Sequence, residues 1–479
     1  MAQTRLKIAY VGAHLPSYMA HEYDVFGRSV AVLQQLAVEM DFDLHVVSQP
    51  VVTAEEARAA SREVDAAGVD LVLLQNSSFT MGNVVTELAR GKARLGLWGM
   101  EEPTHQGAIQ LNTLVSLNLN AGILTRYLKA HQIPFKWFWG GPDHPWLLPR
   151  LRITVQALRA LKRLAQARIG WVGGLAPTFY NLTFDERALE GRLGCRVHAH
   201  ELGELVERSR KVSAPATREA AQILSGMARG VEVAPEHFER GSALYVAMRE
   251  FAADYGYDAL AVSCWSGFQE HLGIAPCMAY SWLNENDGLA VACEGDVVGA
   301  LTMLMLNEIN RDQSTMLDIN DIDLDSQSVL MWHCGVSPAR FADQDGVTWK
   351  NHSTLGRKDP QAQPAGVVAD LKFAPSPATI TRLSDDASQL LIAQARIVEG
   401  PNRGFEGSRG WLTDFELNHQ PASVADLVNT VMVEGIEHHF VVGRGHHAAA
   451  LSELAAWAGL KPIEAVPYQD FMQLGSRSL

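Results

Sequence analysis

The chain has 479 residues, 47% of them hydrophobic and 20% charged, an ordinary soluble composition in a chain too long for one compact core. Its 40 basic and 54 acidic residues leave a formal net charge of −14. That argues against nucleic acid or an anionic membrane as a partner held by bulk electrostatics, because both need a net basic surface.

The first residues run directly into a strand-like segment and lack the apolar core of a signal peptide. The longest uncharged stretch, about 104–125, is rich in Gln, Asn, Ser and Thr, so no membrane span is expected. Five cysteines, Cys195, Cys264, Cys277, Cys293 and Cys334, form neither a CxxC motif nor a disulfide framework. They read as small core residues in a reducing compartment, and a cytoplasmic location is expected.

Apolar runs at 6–11, 43–48, 70–74 and 94–99 alternate with helix-patterned stretches at 28–39, 55–67 and 113–131, the signature of a parallel sheet covered on both faces. The Pro/Trp-rich stretch 134–149 reads as a domain junction, and the basic helix at 150–165 as a solvated face. The pattern then restarts, with strands at 168–172, 196–202 and 259–262 and helices at 217–228 and 241–255. Neither Gly173-Gly174 nor Gly443-Arg444-Gly445 makes a GxGxxG or a P-loop, so no nucleotide cofactor is expected. Beyond about residue 310 helical periodicity fades. Short β-like runs follow at 314–317, 328–333, 367–373, 378–382, 389–398 and 440–442, with helices at 424–433 and 448–457. The expected fold is α/β, with two Rossmann-like parallel-sheet domains (1–165 and 166–310) followed by a mainly β C-terminal domain (311–479).

The apolar run 289–293 ends abruptly on a carboxylate, in Cys293-Glu294-Gly295-Asp296, and a helix-patterned segment with Val297, Val298, Leu301, Leu304 and Met305 follows. A carboxylate just past a buried strand and at the mouth of a helix is where open α/β sheets place ligand chemistry. Asp318 ends the next β-like run, His333 closes another, and His438-His439 precede the run 440–442. Neighbours on a strand face opposite ways, so one histidine of the pair is expected to face a given site. Two carboxylates with one or two imidazoles suit Mn²⁺, Mg²⁺ or Co²⁺ better than a thiolate-bound zinc. Each residue also has a plain reading, as a cap or a core histidine.

The block Ala292-Cys293-Glu294-Gly295-Asp296 resembles the metal-glutamate segment of the L-fucose isomerase and L-arabinose isomerase superfamily. Asp318, 24 residues later, falls where that family places its second metal carboxylate. His438-His439-Phe440-Val441-Val442-Gly443 resembles its late histidine segment. Gly267-Phe268-Gln269 resembles its Gly-Phe-Gln, and Leu97-Trp98-Gly99 its N-terminal tryptophan segment. Five short motifs occur in order over nearly the whole chain. The chain is shorter than a typical fucose isomerase, mainly in its third domain.

The resemblance implies a metal-dependent aldose–ketose isomerase of a monosaccharide, working through a cis-enediol and using Mn²⁺ or another divalent cation. It implies Glu294, Asp318 and His439 as metal ligands, with Glu294 and Asp318 as the acid/base pair. Gln269, His438 and Trp98 would contact substrate. His333 would do so too, or would bind or support the metal where the arabinose branch has a further histidine. Trp98 would reach a neighbouring subunit's site in a homo-oligomer, a trimer or hexamer. Residues near Trp349, His352, Arg403, Arg409 and Trp411 would choose the sugar, and two arginines converging there would select a sulfonated or phosphorylated hexose. The alternatives are a metal-dependent sugar-acid epimerase or lyase, and a non-catalytic sugar-binding protein.

Overall fold

The computed structural model describes residues 5–141, 144–354 and 365–476. In the first of two units, Met1–Arg159, five strands alternate with helices: β1 (Leu6–Ala13), α1 (Val25–Met40), β2 (Phe42–Val46), α2 (Ala54–Ala67), β3 (Leu71–Asn76), α3 (Gly82–Leu88), β4 (Arg94–Gly99), α4 (Thr113–Gly122) and β5 (Phe135–Trp139). Helix α5 (Leu147–Leu164) runs past the unit's end. The strands are parallel in the order β2-β1-β3-β4-β5. Strand β3 is buried at every residue, as its Leu-Val-Leu-Leu run requires of a strand covered on both faces. Helix α2 begins on a capping box, with the Thr53 hydroxyl and the Glu56 carboxylate exchanging backbone N–H bonds.

Two local expectations change here. The aromatic run Phe135–Trp139 is the edge strand of this sheet, inside the stretch expected to be a junction, since alternating aromatic residues fit a pleated surface. The helix expected over 113–131 stops at Gly122 and continues as a π turn (Ile123–Tyr127) and a 3₁₀ turn (Lys129–His131).

The second unit, Ala160–Leu479, opens with another parallel sheet. Its elements are β6 (Arg168–Val172), α6 (Glu186–Leu193), β7 (Arg196–His200), α7 (Leu202–Lys211), α8 (Ala214–Met227), β8 (Gly230–Glu232), α9 (Pro235–Tyr255), β9 (Ala259–Val262), α10 (Gly267–Leu272), α11 (Cys277–Asp287), β10 (Ala290–Ala292) and α12 (Val297–Asn310). The order β10-β9-β6-β7 reverses direction beside β6, which makes the carboxyl ends of β6, β9 and β10 the natural place for a site.

The β-rich part follows, with β11 (Thr315–Asp323), β12 (Ser328–His333), β13 (Thr348–Asn351), β14 (Gly366–Lys372), β15 (Ser376–Leu383), β16 (Gln389–Val398), β17 (Ser408–Leu417), β18 (Gln420–Pro421), α13 (Val424–Glu434), β19 (Phe440–Arg444), α14 (Ala448–Ala458) and β20 (Lys461–Pro462). Strands β16-β15-β19-β11-β12-β17 pair antiparallel in that order, and β16 pairs again with β17, closing six strands into a ring. Closure leaves those six with no open edge. Strand β8 joins this β region by pairing with β13. The architecture is thus α/β with two parallel sheets and a mainly β C-terminal part. Among the described residues no helix is long and apolar enough to cross a membrane.

Helix α12 is the shared core of this unit. It packs against β6, β9 and β10 and also against β11, β15 and β19, and Val297 through Leu306 are all buried. A helix apolar all round belongs between two layers. Leu301→Ala, at 0% exposure, should therefore cost about 2–5 kcal/mol in urea unfolding. Val38→Ala on the exposed face of α1 (82% exposed) should stay within about 0.5 kcal/mol of the parent.

Candidate active site and metal centre

The site begins where β10 ends. After Cys293 the backbone takes two successive left-handed residues, Glu294 (φ 59°) and Gly295 (φ 75°), before Asp296 caps α12. The turn is pinned from both sides. The Glu294 carbonyl accepts the Ala176 N–H at 3.0 Å, and the Gly295 N–H donates to the Val262 carbonyl at 3.2 Å. The Gly295 carbonyl accepts the Trp171 indole N–H at 3.1 Å. A Cβ on residue 295 would lie 2.1 Å from the Gly174 carbonyl oxygen, so only glycine fits there. Glu294, held in a conformation that costs a non-glycine residue about 1–2 kcal/mol, is thereby aimed across the carboxyl ends of the strands.

Its Oε2 meets two imidazoles, His438 Nε2 at 3.1 Å and His439 Nε2 at 3.4 Å. The expectation that one histidine of the pair faces the site is corrected. Strand β19 begins at Phe440, so the pair precedes it and the two-residue alternation of a strand does not apply.

The partners of the two rings differ. His438 Nδ1 faces the Asn181 amide nitrogen at 2.9 Å, a donor only, so Nδ1 accepts and the proton sits on Nε2, which donates to Glu294. His439 Nδ1 faces Asp296 Oδ2 at 2.9 Å. His439 is fully buried, and Glu294 is 7% exposed. Burial alone would raise the Glu294 carboxyl, but the hydrogen bond from His438 and the surrounding imidazoles outweigh it and hold its pKa below the ordinary value. Burial disfavours protonation of His438, yet its bond to Glu294 and the charges of Asp318, Glu294 and Asp296 raise its pKa.

Asp318 lies inside β11, opposite Trp332, where the sequence placed it at a strand end. The strand continues because Ile319 and Ile322 carry its pairing with β12 beyond the acid. Its Oδ1 is buried without a hydrogen-bond partner among the described residues. His333, the last residue of β12, accepts the Cys334 N–H on Nδ1 at 2.8 Å and places Nε2 3.2 Å from Cys293 Sγ. With Nδ1 so occupied, Nε2 is the nitrogen His333 turns toward Cys293 and His439; burial disfavours the charged ring, but Cys334 and the charge of Asp318 outweigh it and raise its pKa to about 9. Gln269, in α10 just past β9, is half-buried, and both atoms of its amide lack partners among the described residues.

Trp98 lies in the first unit. It is 1% exposed, donates its indole N–H to the Gly140 carbonyl at 2.9 Å and sets its ring edge-on to Tyr10, so its ring is a core element of that unit. The residues expected to choose the sugar also have structural partners. The indole N–H groups of Trp349 and Trp411 donate to the carbonyls of Leu224 and Asn402, and buried Arg409 pairs with Asp370.

Several residues here went unread in the sequence. Asp296 was seen only as part of a motif, and Arg382, which pairs with it, only as the end of a strand. The ring of Phe179 lies 5.6 Å from that of His438 and 6.1 Å from that of Trp265, and Trp265 is 41% exposed. The one available signal was Trp265, two residues ahead of Gly267-Phe268-Gln269.

Glu294 and His439 fit a divalent cation. Two ligand atoms bonded at about 2.1 Å and at right angles lie about 3 Å apart, close to the 3.4 Å between Oε2 and Nε2; Asp318 is near enough for its charge to act on His438 and His333, while the imidazoles that cluster with Glu294 among the described residues are His438 and His439. Beside them lies Cys293, whose neighbour Cys264 and burial hold its thiol well above its ordinary pKa; its sulfur clusters with His333 and His439, a softer donor than the carboxylate and imidazole pair.

No family model matches the sequence. The chain is 27% identical over 418 residues to the sulfoquinovose isomerases of Priestia aryabhattai and Priestia megaterium, covering 86% of this chain and 89% of theirs. It is 23% identical over 478 residues to the sulfoquinovose isomerase of a Clostridium species, covering 97% and 99%. A D-allose-bound periplasmic solute binding protein of Actinobacillus succinogenes aligns at a TM-score of 0.17 and 13% identity over 64% of this chain and 93% of that chain, too slight a likeness to bear on fold or function. Relatives of one name along most of both chains define the class: this chain is an enzyme, an aldose–ketose isomerase of sugars.

The turn at residue 295 offers a direct test. Gly295→Ala should lose at least about 2 kcal/mol of stability in urea unfolding. Gly226→Ala, on a helix with nothing within 4 Å of the added methyl, should be neutral or slightly stabilising.

Proposed function

We propose that this enzyme is a divalent-metal-dependent isomerase that converts a sulfonated aldohexose to the corresponding ketose. The substrate class rests on the relatives named sulfoquinovose isomerase. The metal rests on a single contact. Glu294 Oε2 and His439 Nε2 stand 3.4 Å apart, a spacing that suits two ligand atoms on one shared cation. Mn²⁺ suits this oxygen and nitrogen set, with Glu294, His439 and Asp318 holding it. When bound, such a cation supplies Lewis acidity toward the two oxygens of the reacting carbons.

The chain's own groups carry the rest. An ionised carboxylate of the pair Glu294 and Asp318 takes the proton from C2; the C–H electrons form the C1–C2 double bond and the C1 carbonyl electrons move onto O1, which takes up a proton to complete the cis-enediol. The O2 hydroxyl then gives up its proton, its electrons form the C2 carbonyl, and the C1–C2 double-bond electrons take a proton onto C1 from the protonated carboxyl, so that one proton has passed from C2 to C1 and one from O2 to O1. The His438 bond keeps Glu294 oriented and ionised. The free amide of Gln269 is suited to sugar hydroxyls. Trp265 and Phe179 give a sugar ring an aromatic surface beside His438, the role expected of Trp98.

Incubation of sulfoquinovose with the enzyme and Mn²⁺ in D₂O should give the ketose, with deuterium at C1 by NMR. Label at C2 of a recovered aldose would mean epimerisation instead. Exhaustive chelation should abolish turnover, and Mn²⁺ should restore it. Glu294→Gln should reduce turnover at least about 100-fold with the circular dichroism spectrum unchanged. Full activity after chelation, or in Glu294→Gln, would refute the reading.

A further inference from the structure

His438 and His439 are neighbours in sequence, their ring centroids are 4.2 Å apart, and both present Nε2 to the same Glu294 oxygen. Their chemistry nonetheless differs, because each Nδ1 meets a different kind of group. Asn181 offers His438 a donor, whereas Asp296 offers His439 an acceptor. A neutral imidazole has one proton and one lone pair, so the partner at Nδ1 decides what Nε2 can do.

Asp296 is held at four points. Its Oδ1 accepts the Gly299 N–H at 2.8 Å and an Arg382 N–H at 3.0 Å. Its Oδ2 accepts the other Arg382 prong at 2.6 Å and faces His439 Nδ1 at 2.9 Å. Asp296 and His439 are wholly buried, and Arg382 is 1% exposed. Arg382 comes from β15, on the ring, while Asp296 starts α12. The guanidinium fork fixes both carboxylate oxygens in one plane, leaving the Oδ2 lone pair pointed at the imidazole.

We propose that Asp296, oriented by Arg382, is a positioning residue that fixes the proton of His439 on Nδ1 and so keeps the Nε2 lone pair facing Glu294. Its consequence for cation binding rests on the metal-dependent function proposed above. Without this partner His439 would take the form His438 has, a donor to Glu294, and the site would lose its nitrogen ligand. Partners of this kind, one shell out from a metal, typically change affinity 10–100-fold.

Asp296→Asn tests the assignment. The oxygen of the asparagine must occupy the Oδ1 position, which receives the Gly299 N–H and one Arg382 prong, so its NH₂ group turns to His439 Nδ1 and pushes the proton to Nε2. In protein labelled with ¹⁵N-histidine, long-range proton–nitrogen spectra should show the Nδ1–H form of His439 in the metal-free parent, with the signal assigned by its loss in His439→Gln. The Asp296→Asn protein should show the Nε2–H form and bind Mn²⁺ about 10–100-fold more weakly, measured from the free-ion electron paramagnetic resonance signal. An Nε2–H form in the parent would overturn the proposal, as would an imidazolium with protons on both nitrogens at the pH of the binding measurement, and so would parental Mn²⁺ affinity in Asp296→Asn. If Asp296→Asn fails to fold, the parent spectrum alone decides. A parent that shows the Nδ1–H form, yet binds no Mn²⁺ and turns over after chelation, would support the role of Asp296 and refute only the metal reading.

Discussion

The buried pair of Arg382 and Asp296 joins the two layers on which the second unit is built. It links a strand of the closed β ring to the N-cap of the helix that the parallel sheet packs against. Taking two charges out of water costs several kcal/mol per ion, and a buried pair rarely contributes net stability over a well-packed apolar substitute. Here every oxygen of the carboxylate has a donor, and removing one partner would strand a charge in the interior at about 3–5 kcal/mol. Such a pair specifies position more than it stabilises. It sets α12 and β15 in one register, and through Asp296 it reaches the imidazole that faces Glu294.

The strain in the structure lies beside this pair. Glu294 occupies the left-handed region, and the next residue must be glycine because the loop after β6 passes against it. The burial of α12 on all sides offsets such a turn, since one residue's strain is small against a helix whose core leucines are each worth about 2–5 kcal/mol. Preorganisation follows. The carboxylate is aimed by backbone pinned on both sides, and His439 by a buried carboxylate that is itself held by Arg382, the kind of fixed geometry on which electrostatic catalysis depends.

Much of the architecture was legible along the chain. Alternating apolar runs and helical periodicity identify the parallel sheets, because strand and helix periods are local properties of sequence. The run Cys293-Glu294-Gly295-Asp296 was legible for the same reason, as a buried strand ending on acids at a helix start. The strand Phe135–Trp139 was misread because Pro134 and Gly140-Gly141 frame it with loop signals. The continuation of β11 past Asp318 was missed because Asp321 and Asp323 break its apolar pattern on the solvent side.

The sequence by itself determined the alternation of elements, the order of the acids and histidines, and a donor set suited to a hard divalent cation. Only the tertiary structure decided how those residues act. Arg382 and Asp296 are 86 positions apart, and Asn181 and His438 are 257 apart. The physical reason is that a residue's type records what it can donate or accept, whereas the tautomer of an imidazole and the ionisation of a buried acid depend on neighbours. Those neighbours arrive only when β10, α12, β15 and the segment before β19 fold against one another.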